Sequence, residues 1–174
     1  MMRALCLFGL MLLASSAWSQ EPPPWYVGAH LGVASVDDDA GRADDATALR
    51  FNLGRQLDSS LTLEFEAGLG EVSFDEGPDL DQTHAAINVV LVNRSARWNP
   101  YFLVGVGAFD HDGADFNDTG AMAQAALGGM WDLNGFGMML KADLRYRYSD
   151  LDRDVIDRGQ ALFTIGIELP FGSR

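Results

Sequence analysis

The chain has almost no cysteine. Of its 174 residues only Cys6 carries a thiol, and Cys6 lies within an N-terminal segment that has the features of an export signal. The rest of the chain can therefore have no disulfide framework, no cysteine-ligated metal and no cysteine nucleophile.

The chain also lacks an apolar run long enough for a membrane helix, which needs about 20 residues. The apolar run at residues 4–13 follows Arg3 and precedes Ala17-Trp18-Ser19, where small residues occupy the two key positions of a cleavage site. We therefore predict a cleaved secretory signal peptide over residues 1–19 and one folded domain over residues 20–174.

Basic charge is scarce as well. There are 12 basic and 25 acidic residues, which gives a net charge of −13. Four stretches hold 18 of the 25 acidic residues but only three arginines; they are residues 36–46, 71–82, 110–120 and 149–158. The acid is thus concentrated in segments between the apolar ones. This argues against nucleic acid as a partner, because nucleic-acid-binding surfaces are basic.

What the sequence does contain is alternation of apolar and polar residues with period two, which is typical of strands. Eight such segments occur, at residues 25–35, 47–55, 61–70, 83–92, 100–109, 121–131, 138–148 and 160–171. Short connections alternate with long, acidic ones along the chain, and the short ones are residues 58–60, 93–99 and 132–136. We predict an all-β fold, an eight-stranded antiparallel up-and-down transmembrane β-barrel with short periplasmic turns and longer acidic extracellular loops.

Alternation alone does not say which face lies inside, because a soluble lipocalin-like barrel alternates too. Two features favour a polar interior. Glycines cluster on the polar face, which is expected if that face lines the crowded interior of an eight-stranded barrel, where little space is left for side chains. They are Gly28, Gly32, Gly54, Gly68, Gly70, Gly105, Gly107, Gly128 and Gly166.

The polar face is also neutral in charge, as expected of an enclosed space, because an unpaired buried ion is costly. Its bases are Arg50, Lys141, Arg145 and Arg147, and its acids are Glu64, Glu66, Asp143 and Glu168. We predict that these eight residues form a structural charge network inside the barrel.

Aromatic residues lie near both ends of the predicted strands. One set falls at the end with the short turns: Trp25, Trp98, Tyr101, Trp131, Phe136 and Phe171. The other falls towards the long loops: Phe74, Phe109, Tyr146 and Tyr148. We predict that the two sets form interfacial girdles around an apolar band.

Three segments carry a resemblance to a known family: PYFLVGVGAF at 100–109, KADLRYRYSD at 141–150 and ALFTIGIELPFG at 161–172. Together with the signal peptide, they resemble the transmembrane domain of the outer-membrane protein A family. The resemblance implies an outer-membrane location in a Gram-negative cell envelope, an interior plugged by a charged network, and a pore that is narrow or gated. It also implies partners, namely outer-membrane lipids and lipopolysaccharide, periplasmic chaperones and the barrel-assembly machinery.

Candidate catalytic groups are few. The histidines are His30, His84 and His111, and none has a serine at the local spacing or lipid-facing position that a lipid A-modifying enzyme would require. We therefore expect a non-enzymatic protein without a cofactor. Eight strands leave little lumen, so we also expect no wide, porin-like channel. A surface adhesion or ligand-binding barrel and a small gated pore remain as alternatives.

The acidic stretches raise the question of a metal site. Asp110, Asp112, Asp115 and Asp118 fall in one stretch, and Asp150, Asp152, Asp154 and Asp157 in another. Neither has the glycine and terminal glutamate of an EF-hand loop. We predict a solvated acidic surface, with Mg²⁺ or Ca²⁺ bridging diffusely to anionic lipopolysaccharide, rather than a specific metal site.

Overall fold

A computed structural model describes residues 25–36, 43–74, 80–94, 98–113, 116–133, 137–150 and 159–172. These residues form eight strands: β1 Trp25–Val36, β2 Ala43–Gln56, β3 Leu61–Phe74, β4 Leu80–Val92, β5 Trp98–Gly113, β6 Phe116–Leu133, β7 Met138–Ser149 and β8 Gly159–Phe171. Each strand pairs antiparallel with the next, and β8 pairs with β1 to close a barrel. The predicted all-β, eight-stranded antiparallel up-and-down barrel is confirmed. The predicted signal peptide lies outside the described residues.

The alternation along each strand sets the two faces of the barrel wall. On β8, Phe163, Ile165 and Ile167 point outward and are exposed, whereas Thr164 and Glu168 point inward and are buried. The other strands follow the same rule, so the exposed face is apolar and the buried face carries the charge. This is the reverse of a soluble barrel and confirms the polar interior. No helix in the described ranges is long and apolar enough to cross a membrane.

Glycines on the inner face leave room for larger side chains from neighbouring strands. A Cβ on Gly68 would collide with the ring of His84, which lies opposite it on β4. A Cβ on Gly105 would likewise collide with the amide of Asn88. These two glycines are therefore required by close packing within the lumen, as predicted for the polar face.

The interior is not polar throughout. On β4, β5 and β6 the inner face carries an apolar cluster of Val90, Val92, Tyr101, Leu103, Ala126 and Met130. The charged residues lie instead on β2, β3, β7 and β8. The lumen thus holds an apolar cluster beside the charged residues, and neutral polar residues of β4 and β6 lie buried next to it.

The aromatic residues follow the predicted girdles only in part. Trp98 and Trp131 are exposed and stack against each other, with ring centroids 6.0 Å apart, at the end with the short turns. Tyr146 and Tyr148 are exposed on β7 near the other end. The prediction is wrong for Tyr101 and Phe109. Both are buried inside the barrel, because their place in the alternation points them inward.

Trp25 is half-buried, with the guanidinium of Arg55 over its ring, and Phe171 is exposed opposite it on β8. These two residues belong to the girdle at the short-turn end. The side chain of Phe74 and the whole of Phe136 lie outside the described residues.

Several strands extend further at the long-loop end than the alternation predicts. β3 continues to Phe74, and β5 and β6 reach Gly113 and Phe116. The acidic Glu71, Asp81 and Asp112 therefore lie on paired strands. Because their side chains are exposed, their charge does not prevent strand formation there.

Candidate functional site in the barrel interior

All eight predicted charge-network residues point into the barrel and are buried. Glu64, Lys141 and Glu168 have no exposed surface at all. The residues come from β2, β3, β7 and β8. On β7, Lys141, Asp143, Arg145 and Arg147 share one face because side chains alternate along a strand, with about 6.7 Å between successive members. Two of them meet β3 across the lumen: Lys141 contacts Glu64, and Arg145 contacts Glu66.

Lys141 is the centre of the first group of contacts. Its ammonium lies 2.8 Å from Glu64 Oε2 and 2.9 Å from Glu168 Oε1. Asn52 donates to the same two carboxylates, at 2.8 Å and 3.1 Å, and Tyr26 donates its hydroxyl to Glu64 at 2.8 Å. Lys141 and Asn52 thus hold the two carboxylates together, and Tyr26 adds a donor to Glu64 alone.

Arg50 and Arg145 organise a second group, nearer the long-loop end. Arg50 lies 3.3 Å from Glu66 and 3.2 Å from Asp143, and it donates to Thr164 at 2.9 Å. Arg145 Nη1 lies 2.8 Å from both carboxylate oxygens of Glu66, and its Nε lies 3.5 Å from Asp143 Oδ1. These contacts join β2, β3, β7 and β8 across the lumen.

Neutral polar residues complete the second group, and the prediction from charge alone missed them. Tyr101 donates its hydroxyl to Asp143 at 2.6 Å. Asn88 and Gln124 donate to Glu66 at 3.1 Å and 3.2 Å, and Gln124 also donates to Asn88 at 2.7 Å. All three residues lie on the inward face of the alternation, so their position in the pattern could have identified them.

Arg147 differs from the other seven residues. Among the ion pairs between described residues, none involves Arg147. Its guanidinium lies 3.1 Å from His84 Nε2 and 5.2 Å from the centre of the Phe109 ring. The structure therefore joins seven of the predicted residues by ion pairs and sets Arg147 apart, closer to the long-loop end.

The two histidines that the structure describes point inward, as their place in the alternation predicts. His30 contacts Asn52 at 3.1 Å, and His84 contacts Glu66 at 3.1 Å. The side chain of His111 lies outside the described residues. Within the described part of the chain, no group of three or more histidine, aspartate or glutamate residues is arranged to hold a metal ion.

A closed eight-stranded barrel with an apolar outer face and paired charges inside is the architecture of a membrane-spanning barrel. The family model described as "Outer membrane protein beta-barrel domain" matches residues 4–168. The chain belongs to this family. The short-turn end of this outer-membrane barrel is therefore the periplasmic end, and the long-loop end is extracellular.

Solved structures of outer-membrane proteins have the same fold. Neisserial surface protein A (NspA) aligns with a TM-score of 0.70 at 14% identity, over 84% of this chain and 97% of that one. Ail, the attachment invasion locus protein of Yersinia pestis, was solved in complex with the heparin analogue sucrose octasulfate. It aligns with a TM-score of 0.59 at 14% identity, over 87% of this chain and 100% of that one.

A third similar structure is PagL, described as an outer membrane enzyme. It aligns with a TM-score of 0.54 at 15% identity, over 84% of this chain and 99% of that one. No curated protein sequence matches the chain significantly. At these identities the likeness shows the fold alone, which both enzymatic and non-enzymatic barrels adopt.

Proposed function

We propose that this outer-membrane barrel is a non-enzymatic structural protein of the Gram-negative cell envelope, with an interior plugged by its charge network. The observation that carries the proposal is the cross-lumen pairing of Lys141 with Glu64 and Glu168, and of Arg145 with Glu66. Side chains paired across the lumen fill the path that an ion or solute would take. Conduction would require several buried ion pairs to break together, which is costly in a low-dielectric interior.

The fold is shared with an enzyme, but the positions of the described histidines weigh against catalysis. A lipid A-modifying enzyme needs its nucleophile and base beside the outer leaflet, on the lipid-facing surface. His30 and His84 are instead buried inside the barrel and contact Asn52, Glu66 and Arg147. These contacts support a structural role for both histidines.

Two measurements test the proposal. Planar-bilayer recordings on the refolded protein should show no steady conductance. Overexpression in an outer-membrane-bearing host should leave the mass spectrum of lipid A unchanged. A stable open channel would favour the gated-pore alternative, and a loss or gain of an acyl chain on lipid A would establish an enzyme. The control for the lipid A mass is a host that expresses a chain with the same residues in reversed order, which does not form this barrel.

The proposed partners are lipids and the export machinery. On the extracellular part of the wall, Glu71, Asp81 and Asp112 lie directly opposite one another on β3, β4 and β5. Like charges placed opposite each other destabilise a sheet, and divalent cations shared diffusely with anionic lipopolysaccharide would relieve this repulsion. Export by a cleaved signal peptide, periplasmic chaperones and the assembly machinery complete the proposal. A mature N-terminus at Gln20, found by mass spectrometry, would establish the cleavage.

A surface-binding barrel is the second candidate, and the β5–β6 hairpin favours it. β5 and β6 stay paired on the extracellular side as far as Gly113 and Phe116. This hairpin carries exposed acid, with Asp112 on β5. The exposed acids nearby suit a basic ligand, in contrast to the sulfated ligand of Ail. Shortening the hairpin should abolish binding to host cells if this candidate is right.

A further inference from the structure

A small cavity lies in the extracellular part of the barrel interior, above the two groups of ion pairs. Its volume is about 10 Å³, and polar side chains from β4, β7 and β8 contribute to its lining: Gln82, His84, Arg147 and Gln160. A space of this size admits one occupant about as large as a water molecule. Neither the charge network nor the proposed function assigns it a role.

Three of the side chains that line the cavity have polar atoms without a hydrogen-bond partner. They are Arg147 Nε, Gln82 Nε2 and Gln160 Oε1. The three residues are more than nine-tenths buried, with exposed fractions of 4%, 6% and 5%. Buried polar atoms are nearly always hydrogen-bonded in folded proteins. Their convergence on one cavity therefore indicates a bound group that hydrogen-bonds to them.

The charge around the cavity indicates which kind of group this is. Arg50 and Arg145 are paired with Glu66 and Asp143, but no ion pair between described residues includes Arg147. The direct contacts of Arg147 are His84 and the Phe109 ring, and neither carries a negative charge. The carboxylate of Glu66 contacts the same His84, at 3.1 Å, but it pairs directly with Arg50 and Arg145. A buried guanidinium with no counter-ion in direct contact is unfavourable, so an anion is favoured beside it.

We propose that the cavity binds one chloride ion, held by Arg147 Nε and Gln82 Nε2 and acting as the counter-ion of Arg147. A half-turn of the Gln160 amide brings its NH₂ group to the position of Oε1 and adds a third donor. The cavity is too small for phosphate or sulfate. A water molecule would satisfy the hydrogen bonds but would place no negative charge beside Arg147.

Bromide provides the direct test, because it replaces chloride and scatters anomalously. Crystals of the refolded protein grown from detergent with sodium bromide should show an anomalous peak within hydrogen-bond distance of Arg147 Nε and Gln82 Nε2. Density at that position without an anomalous signal would mean water and would overturn the proposal. A carboxylate of the chain itself found beside Arg147 would also overturn the proposal.

A second test works in solution and does not depend on crystals. The thermal unfolding midpoint of the refolded wild-type protein should be higher in sodium chloride than in sodium gluconate at equal ionic strength. Arg147→Gln should remove this difference whatever its own stability, and the matched control Arg55→Gln, at the exposed periplasmic end, should retain it. If Arg147→Gln does not fold, Gln82→Leu should reduce the difference instead. Equal midpoints of the wild type in the two salts would refute chloride binding.

Discussion

At the scale of single residues, Lys141 is the cation on which the first group of contacts depends. It has no exposed surface, and it is the cation that separates the carboxylates of Glu64 and Glu168. The benefit of such a buried pair over a well-packed apolar core is small. Loss of one partner, however, leaves the others buried without compensation, which is the costly case.

We therefore expect Lys141→Met to lower the free energy of unfolding by about 3–5 kcal/mol. The measurement is a denaturant titration of the protein refolded in detergent. Arg55→Met should cost less than about 1 kcal/mol, because Arg55 is exposed. The double variant Lys141→Met, Glu64→Gln should recover part of the loss. A single variant as stable as the wild type would show that the carboxylates find another partner.

Residue-scale reasoning from the sequence succeeded where alternation decides the outcome. The inward direction of Glu64, Lys141 and Glu168 follows from their parity along the strand. The girdle prediction is wrong for Tyr101 and Phe109, because it depends on distance along the strand, whereas parity points both of them inward. The pairing of Arg50 with Asp143 was not accessible at all, since it depends on how far the strands tilt when the barrel closes.

At the scale of elements, β8 tests the direction and depth of the apolar face. Ile165 lies near the middle of the strand and Leu169 near its periplasmic end, and both point outward. Arginine on the lipid face costs about 2–4 kcal/mol at the bilayer midplane and about 0–1 kcal/mol near the interface.

We expect Ile165→Arg to be destabilising by the larger amount and Leu169→Arg by the smaller. Unfolding titrations in lipid vesicles, with both variants on one strand, provide the comparison. Equal costs at the two positions would contradict a bilayer centred on the middle of β8.

The turn between β2 and β3 is a second element whose stability can be tested. Asp58 Oδ1 accepts hydrogen bonds from the backbone N–H groups of Ser60 and Leu61, both at 2.7 Å, which closes the turn. Burial acts to raise the pKa of Asp58, but these hydrogen bonds outweigh it and hold the pKa below its usual value. The carboxylate therefore stabilises the fold above the unfolded pKa, and this contribution is lost as the pH falls through the folded pKa.

Asp58→Ala should lower the free energy of unfolding by about 0.5–2 kcal/mol at neutral pH, as for the loss of a capping side chain. The difference between the variant and the wild type should shrink below a pH of about 4, where the free carboxyl group protonates. Denaturant titrations of both proteins at several pH values measure this difference. A difference that stays constant down to pH 2 would mean that the charge of Asp58 contributes nothing.

Element boundaries were less predictable than element number. Eight alternating segments predict eight strands, and each was found. The alternation ends β3 and β5 too early and begins β6 too late, because it treats the acidic residues as loops. Beyond the bilayer, charged side chains on a strand meet water on the outer face, so Glu71 and Asp112 do not interrupt pairing.

At the scale of the whole molecule, the outer face governs how the protein behaves in solution. Large apolar side chains are exposed around the wall, among them Leu31, Val106 and Leu144 at 66% each. A contiguous apolar surface of this kind requires detergent or lipid to cover it.

We expect the folded barrel to aggregate when detergent is removed. In an unboiled sample, it should migrate faster on a denaturing gel than after boiling, because the closed barrel stays compact. Gel mobility and light scattering measure the two effects. A protein that remained folded and monomeric without detergent would contradict the orientation of the wall.

The division of the buried charge between the two halves of the chain bears on how the barrel assembles. Strands β1–β4 carry Arg50, Glu64 and Glu66 on the inner face, whereas β5–β8 carry Lys141, Asp143, Arg145, Arg147 and Glu168. The first half thus has one excess negative charge and the second one excess positive charge. Neither half can enter the bilayer alone with its ions neutralised, because Glu64 and Lys141 are 77 residues apart in sequence. Contacts of such long sequence range form late and slowly. The ion pairs that fill the finished lumen therefore join the two halves of the chain, and they can form only once both halves are in place.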